Sequence, residues 1–216
     1  MKKRWWMMFC IFILLGFAFY VLYEWEYIPH KKYTNDDFHI ETFNSHVDQD
    51  GDGVDDQTDI LKSVREYIET KPKYKSKYYA SGYPDDEYGV CTDVVAFGLL
   101  GAGYDLMELV NEDILANKED YNIDIIDERI DFRRVTNLKV FFEHNAISLT
   151  TDVNEIEAWQ GGDIVIFENH IGIVSDKRNK NGVPFLIHHG SPYQRFYEED
   201  VLEKRDDIVG HFRISE

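Results

Sequence analysis

The chain has 216 residues, 44% hydrophobic and 15% aromatic, enough apolar side chain to bury a core and to exclude a disordered polypeptide. With 41 acidic against 23 basic residues the formal net charge is −18, which repels nucleic acid and anionic membrane surfaces and excludes both as partners of the folded domain.

Lys2, Lys3 and Arg4 precede an uncharged run of 19 residues, Trp5 to Tyr23. A membrane-crossing helix needs about 20. Signal-peptide apolar regions are shorter and end at a small-residue cleavage site, and none follows Tyr23. Residues 1–23 are therefore read as a basic cytoplasmic flank and an uncleaved transmembrane signal anchor. The positive-inside rule then places the rest of the chain on the extracytoplasmic side of the cell membrane.

Residues 24–45 show no period and are expected to form a tether. Over 46–71 an acidic loop runs into a helix whose face carries Ile60, Leu61, Val64, Tyr67 and Ile68, ended by Pro72. The remaining domain, 72–216, opens with a Tyr-, Gly- and Pro-rich loop. Helices are expected over 91–100, 104–117 and 137–144, the last with Thr136 as its N-cap. Strands are expected over 163–167, 170–175, 184–188 and 208–214, with a hairpin turn at Asn181-Gly182. Helices followed by an antiparallel meander predict an α+β domain.

Cys91 is the only cysteine outside the apolar run, since Cys10 lies within it. Exported domains usually pair their cysteines, so a lone thiol there is a candidate nucleophile. Its place on the first turn of a helix favours negative charge and predicts a lowered thiol pKa. A base is available in His170, which opens the strand His170-Ile171-Gly172-Ile173-Val174. Gly172, on the same strand face, leaves space beside the ring. The next strand ends in His188-His189, and period-2 alternation does not choose between them, because both faces of Phe185-Leu186-Ile187 are apolar. Arg133 and Arg134 could hold a substrate carboxylate, against a competing ion pair with Asp131 or Glu128. No HExxH or CxxC pattern points to catalytic zinc.

The acidic stretch Asp48 to Asp59 follows the twelve-residue calcium-loop plan. Asp48, Asp50, Asp52 and Asp56 fall at the carboxylate positions, Gly53 at the turn, and Val54 where a backbone carbonyl is used. Asp59 replaces the usual closing glutamate. The loop is similar to dockerin-type loops, and a structural Ca2+ is the expected occupant.

Five segments together resemble the NlpC-type cell-wall cysteine peptidases, a papain-like superfamily, and most of all its bacterial branch known as the domain of unknown function 1287 family. They are Gly82-Tyr83-Pro84 with Gly89-Val90-Cys91-Thr92-Asp93, then Asn122-Ile123-Asp124, then the run Asp131 to Leu138, then Trp159 to Val165, and His170 to Asp176. The resemblance spans roughly 46–214 and implies a papain-like fold with Cys91 as nucleophile, His170 as base and His188 as third residue, His189 being the fallback. It also implies Tyr79 as a hydroxyl lining the oxyanion hole beside the Cys91 backbone N–H. Where the superfamily has Asp-Cys-Ser-Gly, this chain has Val90-Cys91-Thr92-Asp93. The implied activity is cleavage of amide bonds in peptidoglycan peptides. Two rival readings are a non-catalytic module binding cell-wall peptides or a protein partner, and an acyl transferase using the same thioester chemistry.

Overall fold

A computed structural model describes residues 2–25 and 27–216; Met1 of the expected flank and Glu26 of the expected tether lie outside the described residues. The chain divides into two units, Met1–Lys31 and Lys32–Glu216. The first is built on α1 (Lys2–Glu24). Its stretch Lys3–Glu24 is long and apolar enough to span a membrane, a test that a signal sequence also passes.

The second unit begins earlier than the sequence suggests. Residues 32–45, expected as tether, pack on the domain. Tyr33 forms an antiparallel bridge with Arg178, Ile40 is buried, and the Ser45 hydroxyl meets that of Ser215 at 2.8 Å. Asn35 is buried, donating to Gln160 Oε1 at 3.0 Å and accepting from Arg178 Nε at 2.5 Å. Arg178 is itself buried and also donates to the carbonyls of Ile156, Gly182 and Trp159. Burial lowers its pKa to about 10, with Asp163 pulling the other way. The arm is thus held by polar bonds to a guanidinium, an arrangement that leaves no hydrophobic period to read.

The helices are α2 (Asp56–Glu69), α3 (Cys91–Leu100), α4 (Leu106–Ala116), α5 (Glu128–Asp131) and α6 (Val135–Asn145). Asp55 caps α2, its side chain accepting from the Thr58 N–H, and Asp105 does the same for α4 at Met107. Thr136 lies inside α6 rather than at its cap, because Arg134 occupies that position. Ile60 and Val64 of α2 pack against Val94, Val95 and Leu99 of α3 in the main core. Each fully buried aliphatic side chain there contributes on the order of 1.5–3 kcal/mol.

The strands are β1 (Lys73–Tyr74), β2 (Tyr88–Gly89), β3 (Ile147–Ser148), β4 (Ile164–Phe167), β5 (His170–Arg178), β6 (Pro184–Ile187), β7 (Glu198–Glu199) and β8 (Ile208–Arg213). β1 and β2 pair in parallel as a separate ribbon. The others form one antiparallel sheet of order β3-β8-β4-β5-β6-β7. Its faces divide as alternation requires. Ile164, Ile166, Ile171 and Ile173 meet the helices, while Val165, Phe167, Val174 and Leu186 form a second core with Trp159 and Leu202. The α+β expectation stands. Gly172 does not leave open space: a Cβ there would lie 2.8 Å from Leu186 Cδ1 and 2.9 Å from the Ile187 carbonyl. The glycine lets β5 and β6 approach, so nothing else can enter beside it.

Candidate functional site

Cys91 is the first residue of α3, after Val90 in extended conformation. The turn is fixed from below. Val90 N–H donates to Asp93 Oδ2 at 2.8 Å, and Asp93 is fully buried. Arg133 clamps that carboxylate with Nε at 2.6 Å and Nη2 at 2.9 Å, and sends Nη1 to the Lys77 carbonyl at 2.6 Å. Arg133 therefore does not hold a substrate carboxylate, and its partner is neither Asp131 nor Glu128. Arg134, half exposed, stands 3.7 Å from Asp131, as the ion-pair expectation has it.

Burial pushes the Cys91 thiol up to about 11, against backbone N–H groups of Ile171 and Thr92 that favour the thiolate. This reverses the expected lowering at a helix start, because desolvation outweighs the local donors. The thiol lies against Ile171, next in sequence to His170. Among the described residues no hydrogen bond joins Cys91 directly to His170.

His170 opens β5, and its Nε2 lies 2.8 Å from Nδ1 of His188, just past β6. His188 is buried, and its Nε2 lies 3.1 Å from Glu199 Oε2 on β7. Three adjacent strands thus carry a continuous chain, His170–His188–Glu199. Desolvation, then His188, lowers the His170 pKa to about 3; desolvation lowers His188 as well and raises Glu199. The turn after β6 is tight: a Cβ on Gly190 would stand 3.3 Å from both His170 Cε1 and His188 Nδ1.

His189 is outside this chain. It is buried edge-on between Tyr74 and Tyr197, centroids 5.2 and 5.0 Å away, with Nδ1 lacking a hydrogen-bond partner. Tyr79 is buried and donates its hydroxyl to Asp86 at 2.7 Å. That proton is committed, so the expected oxyanion-hole role for Tyr79 does not fit. Glu199 was not read from the sequence, where Glu198-Glu199 looks like ordinary solvated charge. The only available signal is alternation: Glu198 faces Ser175 and Arg65, which leaves Glu199 to face the other way.

Residues 61–214 match the family model described as Domain of unknown function (DUF1287). The chain belongs to this family. The match runs from within α2 to the end of the sheet and takes in Cys91, His170, His188 and Glu199, while the acidic loop and the arm lie before it. Uncharacterized protein YijF of Escherichia coli (strain K12) is 38% identical over 152 residues, covering 66% of this chain and 72% of that protein. No solved structure matches.

In the acidic loop, Asp48, Asp50 and Asp52 bring carboxylate oxygens within 4.8 Å of one another. Gly51 and Gly53 adopt φ of 76° and 96°, values that favour glycine, and turn their N–H groups onto Asp48 at 2.8 and 2.9 Å. Asp59 is buried, its pKa raised by desolvation and then by Asp52 and Asp50. Asp56 departs from the expected ligand set, accepting from Gln49 N–H at 2.9 Å and the Tyr104 hydroxyl at 2.5 Å. A separate cavity of about 420 Å3 lies between the arm and α2, lined by Asn35, Gln57, Leu61, Arg65 and Asp176 among others; Cys91 and His170 do not line it.

The raised thiol has a measurable consequence. With a pKa near 11 instead of its ordinary 9, Cys91 should react with iodoacetamide at pH 7.5 about a hundredfold more slowly than an unstructured cysteine peptide. Mass spectrometry of the Cys91 peptide follows this, and reaction faster than the free thiol would contradict the burial argument.

Proposed function

We propose that the chain is a membrane-anchored, extracytoplasmic cysteine hydrolase of papain-like type, cutting amide bonds in peptidoglycan peptides. The observation that carries this reading is the His170–His188 hydrogen bond at 2.8 Å, on neighbouring strands beside the β5 start on which the helix-start thiol packs. It pairs the two residues that the resemblance implies as base and third residue. The apolar α1 supports the anchored location.

With thiol and imidazole both neutral at rest, proton transfer accompanies bond formation. The Cys91 proton passes to His170 as sulfur attacks the carbonyl carbon, and the helix-start N–H groups face the developing oxyanion. Collapse breaks the C–N bond, His170 returns the proton to the leaving amine, and a thioester remains. Water, deprotonated by His170, then hydrolyses the thioester and restores the thiol.

On purified full-length protein and defined muropeptides, Cys91→Ala should abolish product release and His170→Ala should lower it at least about a hundredfold. Equal release by wild type and Cys91→Ala would sink the hydrolase reading. The second reading, a non-catalytic module binding cell-wall peptides on the same scaffold, is favoured by the raised pKa of the thiol. It predicts muropeptide binding without turnover. Mass analysis separates hydrolysis from acyl transfer, since transfer adds the acceptor mass.

The same proposal takes the acidic loop as a structural calcium site held by Asp48, Asp50, Asp52 and Asp59, whose mutual repulsion a cation relieves. Asp56 lies outside the Asp48, Asp50 and Asp52 cluster and is engaged by Gln49 and Tyr104. Calcium at about 1 mM should raise Tm by roughly 3 °C over EDTA, and Asp50→Asn should remove that rise. An unchanged Tm would remove calcium from the account.

A further inference from the structure

The His170–His188 hydrogen bond does not by itself say which way its protons point, and catalysis depends on that direction. His170 faces His188 through Nε2, so only Nδ1 remains to accept a proton from the thiol. For Nδ1 to be bare in a neutral ring, Nε2 must carry the hydrogen and donate it to His188 Nδ1. His188 must then carry its own hydrogen on Nε2, which needs an acceptor. The group at that position is Glu199 Oε2, at 3.1 Å.

We propose that Glu199 is a positioning residue that sets the proton polarity of the chain, as a carboxylate making His170 Nδ1 the base and as a carboxylic acid turning it off. The inference rests on the reading of Cys91 and His170 as nucleophile and base. The switch balances by one proton. When Glu199 takes up a proton and donates it to His188 Nε2, His188 must hold its hydrogen on Nδ1 and donate to His170 Nε2. The His170 hydrogen then sits on Nδ1, facing the thiol, and the ring cannot accept.

The surroundings make this a two-state device. Glu199 and His188 are both mostly buried, with side-chain exposures of 13% and 9%, so few waters compete for the bond. Burial raises the Glu199 pKa to about 7, with the Phe196 backbone pulling the other way, so its protonation falls in the physiological range. The other charged or titratable groups that act on the chain are His189, Arg205 and Asp207. Arg205 and Asp207 form their own ion pair at 2.5–2.6 Å, which leaves little net charge there to override Glu199.

Long-range proton–nitrogen NMR of the histidine rings tests this, with nitrogen-15 histidine in the full chain in detergent micelles and single His→Gln variants for assignment. At about pH 8.5 both His170 and His188 should be Nε2–H tautomers, and both should convert to Nδ1–H in one transition near pH 7. Glu199→Gln, isosteric and non-titrating, should abolish the transition, and Glu199→Asp should keep it. Where a muropeptide is turned over, wild-type kcat/KM should fall about tenfold per pH unit below that transition, and Glu199→Gln should not show the fall. A His170 ring already protonated on Nδ1 at pH 8.5, a wild type without the transition, or a transition that survives in Glu199→Gln would overturn the proposal. Equal product release by Cys91→Ala and wild type would instead remove the hydrolase reading and leave the tautomer result standing.

Discussion

The buried pair of Asp93 and Arg133 is the interaction on which the site depends. Asp93 accepts from the backbone at Val90 and from both prongs of a guanidinium, so the turn that delivers Cys91 is fixed by its own helix. Arg133 sits between α5 and α6 and also binds the Lys77 carbonyl, tying the α3 start to two distant segments. Removing one partner of such a pair costs on the order of 3–5 kcal/mol, because the survivor is left buried and uncompensated. The position of the thiol is therefore coupled to the stability of the whole helical layer.

The sheet supplies the other half. β5 carries His170 at its start and Arg178 at its end, so one strand both presents the ring and anchors the arm over 32–45. Desolvation then acts on every member in the direction of neutrality, raising Cys91 and Glu199 and lowering His170 and His188. A site held neutral is stable in a buried setting but needs the reacting carbonyl before charge can separate.

Pattern and spacing made the core elements legible, because α2 is long enough to show a period and β4, β5 and β6 stand out as apolar runs bounded by turn residues. The two-residue strands β3 and β7 are too short for one, and so Glu199 was hidden. The arm escaped because its hold on the domain is polar, through Asn35 and the buried Arg178, and leaves no apolar stripe. The sign of the Cys91 pKa shift was misread for a different reason. A helix start is a local feature, whereas the desolvation that outweighs it comes from packing against the main core, which the local sequence does not show. Gly172 and Arg133 failed likewise, each being absorbed by a tertiary neighbour, Leu186 in one case and Asp93 in the other.

The most direct test is to trap the covalent intermediate. Full-length protein mixed with a defined muropeptide, acid-quenched within one turnover and examined by intact and peptide mass, should carry the acyl fragment as a thioester on Cys91 and lose it in hydroxylamine. Muropeptide cleaved with no adduct on Cys91, or cleaved equally well by the Cys91→Ala protein, would contradict the account.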